Sequence, residues 1–204
     1  ILMLIFQDSI LGFAEGIPLG AHYLVRVGDW REMPSRGVDG DVLGINLTTV
    51  KVQNWDKTIT TITTHKLAAD SFTNTRGMVE SGGRRIRRSI NIDVSSIHYL
   101  TEEELQTLCA SQLLKEYMES KIKDINDYNA SRESHLDERR LTNIGTFREY
   151  LETWLSSNPN IHQGMTHMVR QLQPGPTGLP LEIYCFSANQ VWVAYENIQS
   201  DIFD

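Results

Sequence analysis

The side chains best able to hold a metal or act as nucleophiles are six histidines, His22, His65, His98, His135, His162 and His167, and two cysteines, Cys109 and Cys185. They are scattered. His162 and His167 flank a predicted strand start, yet no carboxylate or cysteine completes a ligand set there. Asp39-Gly40-Asp41 opens like a cation loop, but the remaining ligands of a calcium loop do not follow, so it reads as a polar turn. Neither a phosphate-cradling glycine loop nor a nucleophile motif is present. Glu102-Glu103-Glu104 reads as a helix start favoured by the helix dipole, not as a catalytic pair. No enzyme site, cofactor or metal is expected. What remains is one basic cluster, Arg84-Arg85-Ile86-Arg87-Arg88. It has three readings: a patch for nucleic acid or anionic lipid, an interdomain segment paired with carboxylates of this acidic chain, or a set of charges that biases ion traffic.

The rest of the chain must position that cluster. The 204 residues carry a formal net charge of −7, with 40% hydrophobic and 22% charged residues. This balance is that of a mostly water-facing protein and weakens any reading that needs a broadly basic face. Cys109 and Cys185 lie in apolar runs and read as small buried hydrophobes in a reducing compartment. The chain opens inside an apolar run, Ile1 to Phe6, with no charged region before it, and this run is far short of the roughly 20 apolar residues of a membrane span. It closes on Ile202-Phe203-Asp204 inside an amphipathic helical pattern. Both ends suggest a piece of a larger protein.

Residues 1–23 read as two helical pieces, with Asp8 capping the second and Gly12, Ala14, Gly16 and Gly20 allowing close helix approach. A buried core helix of a soluble domain is the other reading of this stretch. Residues 24–76 read as a β-domain. Val50 and Val52 alternate with Lys51 and Gln53, a turn is expected at Trp55-Asp56-Lys57, and Gly28, Gly37, Gly40 and Gly44 suit tight turns and bulges of a small curved barrel. Residues 77–204 read as an α+β domain. A strand is expected over Ile86–Val94, and a capping box at Thr101–Glu104 opens a helix that continues into a charged insertion over Ser120–Thr142. A second capping box is expected at Thr146–Glu149, with Phe147, Tyr150, Leu151, Trp154 and Leu155 on one buried face. Strands over Met165–Leu172 and Leu181–Phe186 form a hairpin, and a final helix places Val191, Tyr195, Ile198 and Ile202 on one face. This order of elements predicts a ferredoxin-like arrangement.

Several blocks, in order, resemble the small-conductance mechanosensitive channel (MscS) superfamily, and within it the miniconductance branch. They are Ser81 to Ile86, Leu141 to Arg148, Met168 to Leu172, Gly178 to Tyr184 and Ile198 to Asp204. The resemblance implies a homo-oligomer, a ring of seven subunits, in a bacterial inner membrane. By the same resemblance it would open under tension to pass ions and small solutes during hypoosmotic stress, with membrane lipid and permeating ions as its partners and no nucleic acid. It implies that Ile1 to Gln7 end a transmembrane, pore-lining helix, with Ile1 and Leu4 at the gate, and that Asp8 takes the kink position where the family commonly has Gly. Ser9 to Leu19 would form the interfacial helix, with Gly12 and Gly16 in its packing. The β-domain would be an Sm-like barrel, and both domains would hang below the membrane as a hollow vestibule. Arg84, Arg85, Arg87 and Arg88 would then be vestibule-facing or lipid-facing charges. Thr63-Thr64-His65 replaces the Pro-Asn the family often has after the strand that ends near Ile62, so a different connection is expected there. The competing reading is a soluble β-barrel module that binds RNA or anionic lipid through Arg84–Arg88.

Overall fold

The computed structural model describes residues 25–204, a mixed α+β chain whose two sheets are antiparallel. The expectations for Ile1, Leu4, Asp8, Gly12, Gly16 and the helices around them lie outside the described residues. Two compact units divide between Ser81 and Gly82. Among the described residues, no helix is long and apolar enough to cross a membrane.

The first unit holds β1 (Trp30–Met33), β2 (Val38–Ile45), β3 (Thr49–Asn54), β4 (Ile59–Thr63) and β5 (Thr73–Asn74), in the order β4-β3-β2-β1-β5. Val50 and Val52 of β3 are buried while Lys51 is exposed, as the alternation predicts. They join Met33, Val38, Val42, Ile62 and Leu67 in one core. Two devices bend the sheet. The register slips between Val42 and Gly44, leaving Leu43 as the extra residue of a bulge. At Gly40 the β3 backbone comes so close that a Cβ would lie 1.9 Å from the Gln53 carbonyl oxygen. Asp39-Gly40-Asp41 is therefore not a turn but the first half of β2, where only glycine fits between the strands. After β4 the chain enters a short helix, α1 (Thr64–Ala69), so Thr64 and His65 start a helix where a changed connection was expected. A second short helix, α2 (Arg76–Ser81), closes the unit.

The second unit begins with β6 (Arg84–Ile92), two residues earlier than the apolar pattern predicts, because the arginines belong to the strand. Next come α3 (Glu102–Cys109), α4 (Lys115–Asn129) and α5 (Asn143–Ser157), the hairpin β7 (Met168–Gln171) and β8 (Leu179–Ser187), and α6 (Trp192–Phe203). The sheet order is β6-β8-β7. The Thr101 capping box forms in both directions, as expected. The helix it starts does not run on: the chain breaks after Cys109 and restarts at Lys115. Thr146 opens no helix either. Thr142 caps α5, accepting a bond from the Gly145 amide, and Thr146 is buried in its first turn with its hydroxyl donating to the Thr142 carbonyl.

Leu151 and Leu155 of α5 and Ile198 and Ile202 of α6 pack with Ile86, Val169, Leu181, Ile183 and Cys185 into the core of this unit. Phe147 and Tyr150 do not join it. They are exposed and instead line a cleft of about 460 Å³ shared with Leu100, Leu108 and Leu114. The helical repeat places them on the side of α5 that faces α3, a helix with no buried residue of its own. Val191, expected on the buried face of the last helix, precedes α6 and is exposed. Burial pushes the Cys185 thiol up to about 12, which makes it an inert core residue, whereas Cys109 is only half-buried.

Candidate functional site

Strand geometry sorts the arginine cluster. Successive side chains on a strand point to opposite faces, and residues directly opposite across a ladder share a face. Arg84, Ile86 and Arg88 fall on the helix-covered face, beside Ser187, Cys185 and Ile183. There the Arg84 guanidinium lies 4.2 Å from the Tyr195 ring centre and that of Arg88 4.7 Å from the Phe203 ring centre, both on α6. Arg85 and Arg87 fall on the outer face, opposite Phe186 and Tyr184. The four arginines thus do not form one continuous patch: two clamp a helix by cation–π contact and two reach the other side of the sheet.

The outer face carries a feature that sequence patterning does not single out. Glu182, on the central strand, is directly opposite both Ser89 and Arg170. Its side chain is only 4% exposed, yet it is charged. Arg87 Nε donates to one carboxylate oxygen at 2.9 Å, and Arg170 donates to the other through Nε at 2.7 Å, with its Nη2 at 2.6 Å. The hydrogen bond from Arg87 holds the Glu182 carboxyl below the usual range; burial works against this and Arg170 adds to it. Tyr184 and Phe186 stand beside these groups, half-buried, with ring centres 5.7 Å apart and nearly perpendicular planes. One signal in the sequence could have found Arg170 and Glu182. The hairpin across Pro174–Gly178, once registered, places them opposite each other.

Two further polar knots hold their elements. In the first unit, Asp29 accepts from Arg31 Nη2 at 2.9 Å, from the Arg26 amide at 2.8 Å and from Arg76. Burial works to raise its carboxyl, but Arg76, the Arg26 amide and Arg31 outweigh burial and hold it below the usual range. Asp39 also accepts both indole N–H groups of Trp30 and Trp55, at 2.7 and 2.9 Å. In the second unit, His98 Nε2 lies 3.0 Å from Glu104 and Nδ1 lies 2.9 Å from the Ser96 carbonyl. The Thr101 amide and then His98 bring the Glu104 carboxyl down to about 2, and Glu104 in turn raises His98. These are caps and braces. Among the described residues, no three histidine, cysteine or carboxylate groups gather as a metal site.

Comparison with known proteins places this geometry. Residues 8–77 match the family model of the mechanosensitive ion channel β-domain. The fold is similar to that of MSL1 from Arabidopsis thaliana, solved by cryo-EM, with a TM-score of 0.61 and 13% identity over 99% of this chain and 56% of that one. It is similar too to the Helicobacter pylori MscS crystal structure in its closed state, with a TM-score of 0.57 and 16% identity over 99% of this chain and 59% of that one. The chain thus spans rather more than half the length of the solved structures it matches.

Proposed function

We propose that this chain is a member of the small-conductance mechanosensitive channel superfamily, and that it is the pore-end and vestibule part of a channel subunit that opens under membrane tension. The observation that carries this reading is the order of parts: a match to the mechanosensitive-channel β-domain model over residues 8–77, followed by an α+β unit, with a fold similar to solved channels along nearly the whole chain. Its action is mechanical. Tension favours the state with the larger area in the membrane plane. A narrow apolar ring that widens slightly then wets and conducts. Ile1 and Leu4 are the proposed ring residues, Asp8 ends the pore-lining helix and starts the next, and Gly12 and Gly16 let that helix pack closely. The passage of ions and small solutes in hypoosmotic stress, the bacterial inner membrane, the cytoplasmic placement of residues after 24, the ring of seven and the miniconductance branch belong to the same proposal.

The finer architecture fits it. A five-stranded sheet bent at Gly40 and Leu43 suits an Sm-like barrel. The strand order β6-β8-β7, with α6 after β8, suits a ferredoxin-like arrangement. Arg85 and Arg87 are the members of the basic cluster that can act on passing ions, since Arg84 and Arg88 are stacked on α6. Single-particle imaging of the full-length protein in nanodiscs tests the reading. A closed ring of seven with residues 1–7 around its axis supports it; a monomer or dimer with those residues inside a soluble core overturns it.

A further inference from the structure

We propose that the outer face of the second sheet binds a nucleoside phosphate, its phosphate held by Arg85, Arg87 and Arg170 and its base laid against Tyr184 and Phe186. Charge comes first. The chain carries −7 overall, but this face collects three guanidinium groups against one carboxylate. The carboxylate is already committed. Glu182 is buried beneath the arginines and spends its oxygens on them, so it orients the cations rather than repelling an incoming anion.

The donors left over are numerous and aimed by that anchor. Arg87 bonds Glu182 through Nε, leaving both terminal amino groups unspent, and Arg170 spends Nε and Nη2, leaving Nη1. The Arg85 guanidinium is exposed and makes no bond among the described residues. Arg85 and Arg87 are two residues apart on one strand face, about 7 Å along the strand, a separation that the terminal groups of two long side chains can close around one phosphate.

The aromatic pair selects among anions. Tyr184 is directly opposite Arg87 and Phe186 directly opposite Arg85, so each ring adjoins a cation. Their perpendicular packing leaves a ring face for a flat base, and base–aromatic stacking is tolerant of base identity. Ser89, exposed on the same face between Arg87 and Asn91, adds a hydroxyl for the sugar. A patch of net charge near two is too small to track the phosphates of a nucleic-acid strand, which favours a single nucleotide.

The test is calorimetric titration of the full-length assembled protein in nanodiscs at low salt, with adenosine monophosphate as probe and adenosine and inorganic phosphate as its two halves. Saturable binding of the monophosphate, at least tenfold tighter than either half, is expected. Arg85→Gln should weaken it about tenfold with ring size and far-UV circular dichroism unchanged. Tyr184→Leu should bring the monophosphate down to the level of inorganic phosphate. Absence of saturable binding, a monophosphate no better than inorganic phosphate, or full binding in Arg85→Gln each overturns the proposal.

Discussion

Replacing Glu182 by Gln removes the single negative charge on the outer face of the second sheet at nearly constant shape. The carboxylate is 4% exposed and accepts from two guanidinium groups at 2.9, 2.7 and 2.6 Å. Removing one partner of a fully buried pair costs about 3–5 kcal/mol, because a naked charge stays behind. That penalty does not apply in full here. Arg87 and Arg170 are 53% and 49% exposed, so water takes up the N–H groups that Glu182 releases. What is lost is the difference between charged and neutral hydrogen bonds at a dry acceptor, about 1–3 kcal/mol. Hydrogen exchange read by mass spectrometry on the full-length protein measures this locally. Amides of β6 and β8 should exchange about 5-fold to about 150-fold faster in Glu182→Gln, with β2 and β3 unchanged. The pH dependence has a definite sign. The folded carboxyl titrates below its ordinary value of 4.5, so its contribution is present above that value and fades as pH falls through the lowered one. The wild type should therefore lose protection on the acid side and converge on the variant. Exchange within twofold of wild type at neutral pH would refute the claim that Glu182 holds the two arginines.

Three other outcomes follow from the described geometry, and a fourth from the proposed gate. Gly40→Ala should abolish protection across β2 and β3 because its Cβ meets the Gln53 backbone, whereas Gly44→Ala, which opens onto free space, should be tolerated; equal behaviour would contradict the close approach. Leu155→Ala empties a position with no exposure and should cost about 2–5 kcal/mol, read as faster exchange through α5 and the second sheet. The first-turn amides of α3 should be best protected between two limits. Glu104 support is lost as pH falls toward about 2, and His98 support, complete below the ordinary histidine value of 6.5, is lost as pH rises through its raised value. His98→Gln should erase the upper limit only. Leu4→Ser should lower the tension needed for opening in patch recordings, and an unchanged threshold would remove Leu4 from the gate.

Periodicity carried the buried half of the fold. The alternation at Val50 and Val52, the Thr101 capping box and the pair Ile198 and Ile202 all stand where residue spacing puts them. It failed where packing is decided by partners distant in sequence. Phe147 and Tyr150 share the apolar stripe of Leu151 and Leu155, yet they face α3 and not the sheet, a distinction that a 3.6-residue repeat cannot make. Asp39-Gly40-Asp41 has the composition of a turn, but Gly40 is required by the closeness of β3. The basic cluster was visible as composition only. Its division into two helix clamps and two outward charges depends on strand phase, and its anchor, Glu182, lies 95 residues away from Arg87.

The central claim is that this chain forms part of a tension-gated channel. Patch recording from liposomes holding only the purified full-length protein, under stepped suction, tests it most directly. The account predicts silent patches at rest and discrete conductance steps that appear above a threshold tension and close on release. Patches that stay silent up to rupture, with ring assemblies demonstrably in the bilayer, would contradict it.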